Sequence, residues 1–166
     1  VQNGGTAAEI LIRTNELVYK EIKRGVFVSM FFTILDVEKQ QLNCASAGHN
    51  PPLFIHGGKS QWLELGGMAL GVDKGSLFNK TIKEENIQVA SGDMLVHYTD
   101  GVTEARSLSG EEFGDDRLKS FCESAYSQSA KELNIKLVAM LDAFANGAVQ
   151  SDDITLVTVS YTHLTL

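Results

Sequence analysis

Acidic side chains at the ends of apolar runs are where this 166-residue sequence is best placed to do chemistry. Met94–Thr99 reads as a buried strand and stops abruptly at Asp100-Gly101, while Ser151-Asp152-Asp153 stands directly before a second such run, Ile154–Ser160. If these runs are antiparallel neighbours, the end of one lies beside the start of the other, about 4.8 Å away. Carboxylates gathered at one point repel each other unless a cation neutralises them. Oxygen-only ligation suits hard ions such as Mg²⁺ or Mn²⁺. Gly101 would let a metal-bound water or a phosphate approach the backbone closely. The same residues also suit plain turns, because Asp-Gly is a common turn dipeptide and Asp152 can cap a turn. Position alone leaves both readings open.

The remaining polar candidates read as less reactive. His49 and Asn50 sit in Gly48-His49-Asn50-Pro51-Pro52, where glycine and proline force a sharp change of direction. They stand either near a bound phosphate or as hydrogen-bonding groups of the turn, and the turn role is favoured. His97 lies inside a strand and reads as a satisfied core histidine. His56 falls in a turn and should be exposed. Glu104 suits a salt bridge or a helix start. Cys44 and Cys122 are far apart, lack metal-ligand spacing and lie in apolar segments, so they read as reduced core thiols in a cytoplasmic protein.

The elements that must position the aspartates follow from pattern. Thr6-Ala7-Ala8-Glu9 is a capping box, after which Ile10, Thr14, Leu17, Val18 and Ile22 recur at helical spacing. Val26–Leu35 is apolar on both alternating faces and predicts a central strand covered on both sides. Leu42–Ala47 returns as the second strand of a hairpin, and Leu53–Ile55 with Gln61–Leu65 forms another around His56-Gly57-Gly58. Gly66–Gly75 is a loop, Asn79–Val89 an edge strand, and Val102–Arg106 a short helix. Leu118, Phe121, Cys122 and Ala125 share one helical face. Ser129 and Glu132 offer a second capping box ahead of Leu133, Leu137, Met140, Leu141 and Phe144, and Gly147 closes that helix. Helix, strands, two helices, strand is an α+β order with antiparallel sheet.

Composition narrows the partners. Apolar residues make up 43%, and no apolar run approaches the roughly 20 residues that cross a bilayer. The net charge of −7, with no basic cluster, argues against nucleic acid.

Four stretches together resemble the PPM-type (type 2C) metal-dependent serine/threonine phosphatases, in their bacterial SpoIIE-like branch. They are FFTILDVEKQQLNCASAGHNPPLF (Phe31–Phe54), GGMALGV (Gly66–Val72), GDMLVHYTDGVTEARSLSGEEFG (Gly92–Gly114) and SDDITLVTV (Ser151–Val159). The resemblance implies an antiparallel β-sandwich flanked by helices, in α-β-β-α layers. It implies two Mg²⁺ or Mn²⁺ ions and a water that attacks phosphorus in line, without a phosphoenzyme. It further implies a phosphorylated regulatory protein of the anti-anti-sigma type as substrate, and a sensor domain upstream in the parent chain. Asp100 matches the aspartate of the family's TDG motif. Asp152 matches the metal aspartate of the last motif better than Asp153, whose position holds Asp or Asn in relatives. Asp153 is therefore expected in a supporting hydrogen bond, with Gly101, His49 and Asn50 near the site.

The family also uses Gly-Asp motifs on strands ahead of the first helix, and this sequence shows neither. The expectation is a C-terminal portion, residues 1–160, lacking the N-terminal strands and close to inactive by itself. An exposed sheet edge or apolar face should follow. Tyr161–Leu166 reads as a non-native tail. Two alternatives remain. One is a haloacid-dehalogenase-type phosphatase, although its nucleophile position holds Tyr98. The other is a degenerate phosphatase fold that senses or binds a partner.

Overall fold

The computed structural model describes residues 4–162. These form two compact units, residues 4–51 with 64–89 and residues 52–63 with 90–162. All strand pairings are antiparallel, in two sheets, as expected for the α+β class.

The first unit opens with α1 (Ala7–Glu21), whose capping box is formed by Thr6 and Glu9. Its buried face is Ala7, Leu11 and Asn15, not the Ile10–Thr14–Leu17 stripe, and Leu17 is 65% exposed. The displacement has a simple cause. Alanine and asparagine carry little apolar signal, yet Asn15 is fully buried because its amide is used. Its Nδ2 donates to the carbonyl of Asp73 and its Oδ1 accepts from the amide of Gly71, both at 2.9 Å. The 71–75 loop is thus held on the helix by one side chain.

α1 packs on β1 (Met30–Asp36) and β2 (Gln41–Ala47). The hairpin between these strands is as expected, with Gln40 in the left-handed region at the turn. The sheet order β1-β2-β5, with β5 at Glu84–Gln88, makes β2 the central strand and places β1 at an edge, where it is half-buried. The strand expected over Val26–Leu35 therefore starts late and is not covered on both sides. Val26 and Phe27 are exposed, and Val28 makes only an isolated bridge to Leu70. High β-propensity without a partner strand does not make a strand. The single strand expected over Asn79–Val89 divides into a helical turn, α2 (Phe78–Thr81), and β5 (Glu84–Gln88), which does lie at an edge. The core here is Ala7, Leu11, Ala45, Ala47, Leu70 and Phe78, with Ile82 alongside.

The second unit carries the sheet β4-β3-β6-β7, built from β3 (Leu53–His56), β4 (Lys59–Trp62), β6 (Met94–Tyr98) and β7 (Leu156–Ser160). Its helices are α3 (Asp100–Thr103), α4 (Gly114–Ala125) and α5 (Ala130–Ala145). α5 has the Ser129–Glu132 capping box and buries Leu133, Leu137 and Leu141; Asn146, in the left-handed conformation, caps its end in place of Gly147. These leucines join Leu53, Ile55, Val96, Val102, Phe113 and Leu118 in a second core. Cys44 and Cys122 are free and buried, one in each unit. Of the residues read as a tail, Tyr161 is buried and exchanges backbone hydrogen bonds with Gly92 and Asp93; residues 163–166 lie outside the described residues.

Candidate metal centre

β6 and β7 are the antiparallel neighbours on which the aspartate reading depended, with Tyr98 opposite Leu156. Just past that pair the chains stay in contact. The amide of Thr99 donates to the carbonyl of Thr155 at 3.1 Å. The Thr99 hydroxyl donates to the carbonyl of Asp153 at 2.8 Å and accepts from the amide of Thr155 at 2.9 Å. Asp100 then opens α3 in place of ending a strand. Its carbonyl accepts from the amide of Glu104 at 2.8 Å, and its Oδ1 accepts from the amide of Gly101 at 3.1 Å.

Gly101 is buried against the last aspartates. A Cβ built on it would stand 2.5 Å from the carbonyl oxygen of Asp153 and 3.2 Å from that of Asp152. Only glycine fits without movement. Its importance is close approach of two backbones, since its φ is not in the left-handed region. Asp152 Oδ1 accepts from the amide of Asp153 at 2.7 Å, and the Asp152 carbonyl accepts from Gln150 Nε2 at 2.7 Å.

The fold thus brings Asp100, Gly101, Asp152 and Asp153 to one end of one sheet. The side chains of Asp100, Asp152 and Asp153 are exposed, and among the described residues none of them is in a salt bridge. Oxygen donors on adjacent loops, without a basic side chain to neutralise them, fit a hard divalent cation in chemistry. The number of donors fits only part of a two-ion centre. Among the described residues no group of three or more His, Cys, Asp and Glu side chains is gathered as a metal site.

His49 and Asn50 belong to the first unit. Gly48 turns there with φ +70°, and a Cβ on it would meet the backbone of Ala69 at 3.0 Å. His49 Nδ1 pairs with the Ser29 hydroxyl at 3.0 Å, which ties the ring to the segment leading into β1, twenty residues earlier.

Two hydrogen-bonding groups near these strands have little local signal in the sequence. Thr99 passed as the end of a strand, and its only signal was a hydroxyl directly before Asp100. Asp93 lies in the turn before β6 and is 3% exposed; it accepts from the amide of Ala90 at 2.8 Å and pairs with Nδ1 of the exposed His56 at 2.9 Å. A buried carboxylate needs such partners. The acid before the first residue of β6 was the available signal. Tyr98, at the position where a haloacid-dehalogenase-type enzyme would carry its nucleophile, is buried with its ring against Trp62. Burial, with Asp115 nearby, pushes its phenol well above the usual range. It cannot replace a carboxylate nucleophile.

The family model described as Stage II sporulation protein E (SpoIIE) matches residues 1–162. The chain is 33% identical over 139 residues to Protein IcfG of Synechocystis sp., covering 81% of this chain and 21% of that protein. It is 28% identical over 134 residues to the phosphoserine phosphatase RsbU of Bacillus subtilis, covering 80% of this chain and 38% of that protein. It therefore spans well under half the length of either relative. Among solved structures, the SiaA-PP2C domain of Pseudomonas aeruginosa superposes with a TM-score of 0.79 at 22% identity, covering 94% of this chain and 61% of that one. At that identity the match establishes the fold.

Proposed function

The chain belongs to the SpoIIE family, a bacterial branch of the PPM-type phosphatases, and we propose that it forms part of a metal-dependent protein serine/threonine phosphatase. The observation that carries this reading is the contact of the Asp100 loop with the Asp152–Asp153 turn through Gly101. Similarity to a phosphoserine phosphatase supports the same substrate class.

In this reading Asp100 and Asp152 would hold Mg²⁺ or Mn²⁺, with Asp153 supporting the turn through its backbone. When bound, two ions would supply an acidified water as nucleophile and offset charge on the phosphoryl oxygens. The chain's own contribution is placement. Gly101 removes the side chain that would separate the two loops, and α3 presents Asp100 from its first turn, exposed to a ligand. Two carboxylates are too few for two ions, so residues 1–160 alone should turn over slowly, and the activity is that of a longer protein. Its substrate is a phosphorylated regulatory protein of the anti-anti-sigma type, and a sensor domain governs it. Among the described residues no helix is long and apolar enough to cross a membrane, and the reduced thiols agree with a cytoplasmic setting.

The test is phosphate release from a phosphoserine protein by the longer protein, with and without Mn²⁺. Asp100→Asn and Asp152→Asn should each abolish Mn²⁺-dependent turnover with the fold intact, while Asp153→Asn keeps most of it. Equal release in the presence of a chelator, or a trapped acyl-phosphate on an aspartate, would overturn the reading.

A further inference from the structure

We propose that Thr99 is a positioning residue for the Asp100–Asp152 pair, an inference that rests on the metal-dependent reading above. Thr99 occupies the N-cap position of α3, with φ −91° and ψ 158°. A threonine there ordinarily gives its hydroxyl to an amide of the first helical turn. Thr99 makes no such bond. Its hydroxyl instead crosses to the opposite chain, donating to the Asp153 carbonyl at 2.8 Å and accepting from the Thr155 amide at 2.9 Å. The Thr99 amide adds a third bond, to the Thr155 carbonyl at 3.1 Å.

These three bonds join residues 54 and 56 apart in sequence immediately beside both carboxylates. Asp100 is the next residue after Thr99, and Asp152 the residue before Asp153. One hydroxyl therefore sets how far the Asp152 turn stands from Asp100. A cation of the Mg²⁺ type demands oxygen ligands at about 2.0–2.1 Å in near-ideal geometry. A small drift of one turn would remove a ligand. Gly101 and Thr99 act in opposite senses here, since the glycine permits approach and the threonine fixes it. The methyl group of Thr99 has no part in this bridge, so serine should serve and valine should not.

The experiment is Mn²⁺ titration of the longer protein, read as free Mn²⁺ by electron paramagnetic resonance, together with amide exchange at Thr155. Thr99→Val is expected to weaken Mn²⁺ binding by roughly 10–100-fold, the usual consequence of losing a partner that orients a metal ligand. It should also speed exchange at Thr155, and Thr99→Ser should restore both. A folded Thr99→Val protein that melts earlier but binds Mn²⁺ like the wild type would reduce Thr99 to a stabilising role and overturn the proposal. Wild-type protein that binds no Mn²⁺ would overturn the metal reading itself, and this proposal with it. If the valine variant does not fold, serine decides: wild-type affinity supports the hydroxyl bridge, and a large loss in a folded serine variant overturns it.

Discussion

Gly101 and Asp153 are in backbone contact: a Cβ on the glycine would lie 2.5 Å from the aspartate's carbonyl oxygen. No real Cβ tolerates that distance, and the listener to any strain is the Asp152–Asp153 turn. Gly101→Ala should therefore destabilise the protein by about 1–3 kcal/mol, the usual cost of forcing extra volume into a packed site. It should also lower Mn²⁺-dependent turnover more than the stability loss alone explains, because the turn that moves carries Asp152. Urea denaturation and metal-dependent kinetics check the two parts separately. An alanine variant with wild-type stability would show that the two backbones are not in contact.

Asn15 supports the 71–75 loop from inside α1. Replacing it by leucine leaves the Gly71 amide and the Asp73 carbonyl without their partners. Each stranded group costs about 1–3 kcal/mol, and the expected loss for the two is roughly 2–6 kcal/mol in denaturant unfolding. Asn15→Asp should also destabilise, since a carboxylate keeps the acceptor for Gly71 but faces the Asp73 carbonyl with no donor. A neutral leucine substitution would contradict the buried bridge.

Asp73 makes a pH-dependent contribution. Its carboxylate accepts the amides of Phe78, Gly75 and Leu77, with Phe78 the largest influence, and they hold its pKa below the ordinary value. A depressed acid stabilises the fold above its unfolded pKa, about 4, and loses that contribution as pH falls through the lower folded value. The stability gap between wild type and Asp73→Ala should be full at neutral pH and narrow below about pH 4. Thermal melts across that range measure it. A gap that widens on acidification would reverse the sign and sink the claim.

The two thiols should be inert while the protein is folded. Burial pushes Cys44 up to about 11 and Cys122 up to about 12. At pH 8 neither carries much thiolate, and neither reaches solvent. A disulfide reagent should label both only after denaturation. Rapid labelling of either one in the native protein would contradict its burial.

Much of this molecule is written locally. Both capping boxes, the β1–β2 and β3–β4 hairpins and the leucines of α5 follow from neighbours a few residues apart, so pattern and turn chemistry suffice to find them. The acidic ends of β6 and β7 were legible too, because a carboxylate after a buried run breaks the strand pattern. The face of α1 was not legible: Asn15 looks like a surface residue until the loop that it holds is in place. Nor was the edge position of β1, since an apolar run reads alike whether or not a second partner strand pairs with it.

The residue order alone thus indicated most of the elements, the class and the two aspartates worth watching, because each depends on contacts within a turn or a strand. Which residues hold those aspartates together was a tertiary matter. Thr99 meets Asp153 and Thr155 across more than fifty residues, and Asp93 pairs with His56 from the far end of β3. A hydroxyl before an aspartate, or an acid in a turn, has no distinctive local spacing; its meaning comes from the partner that folding places opposite it.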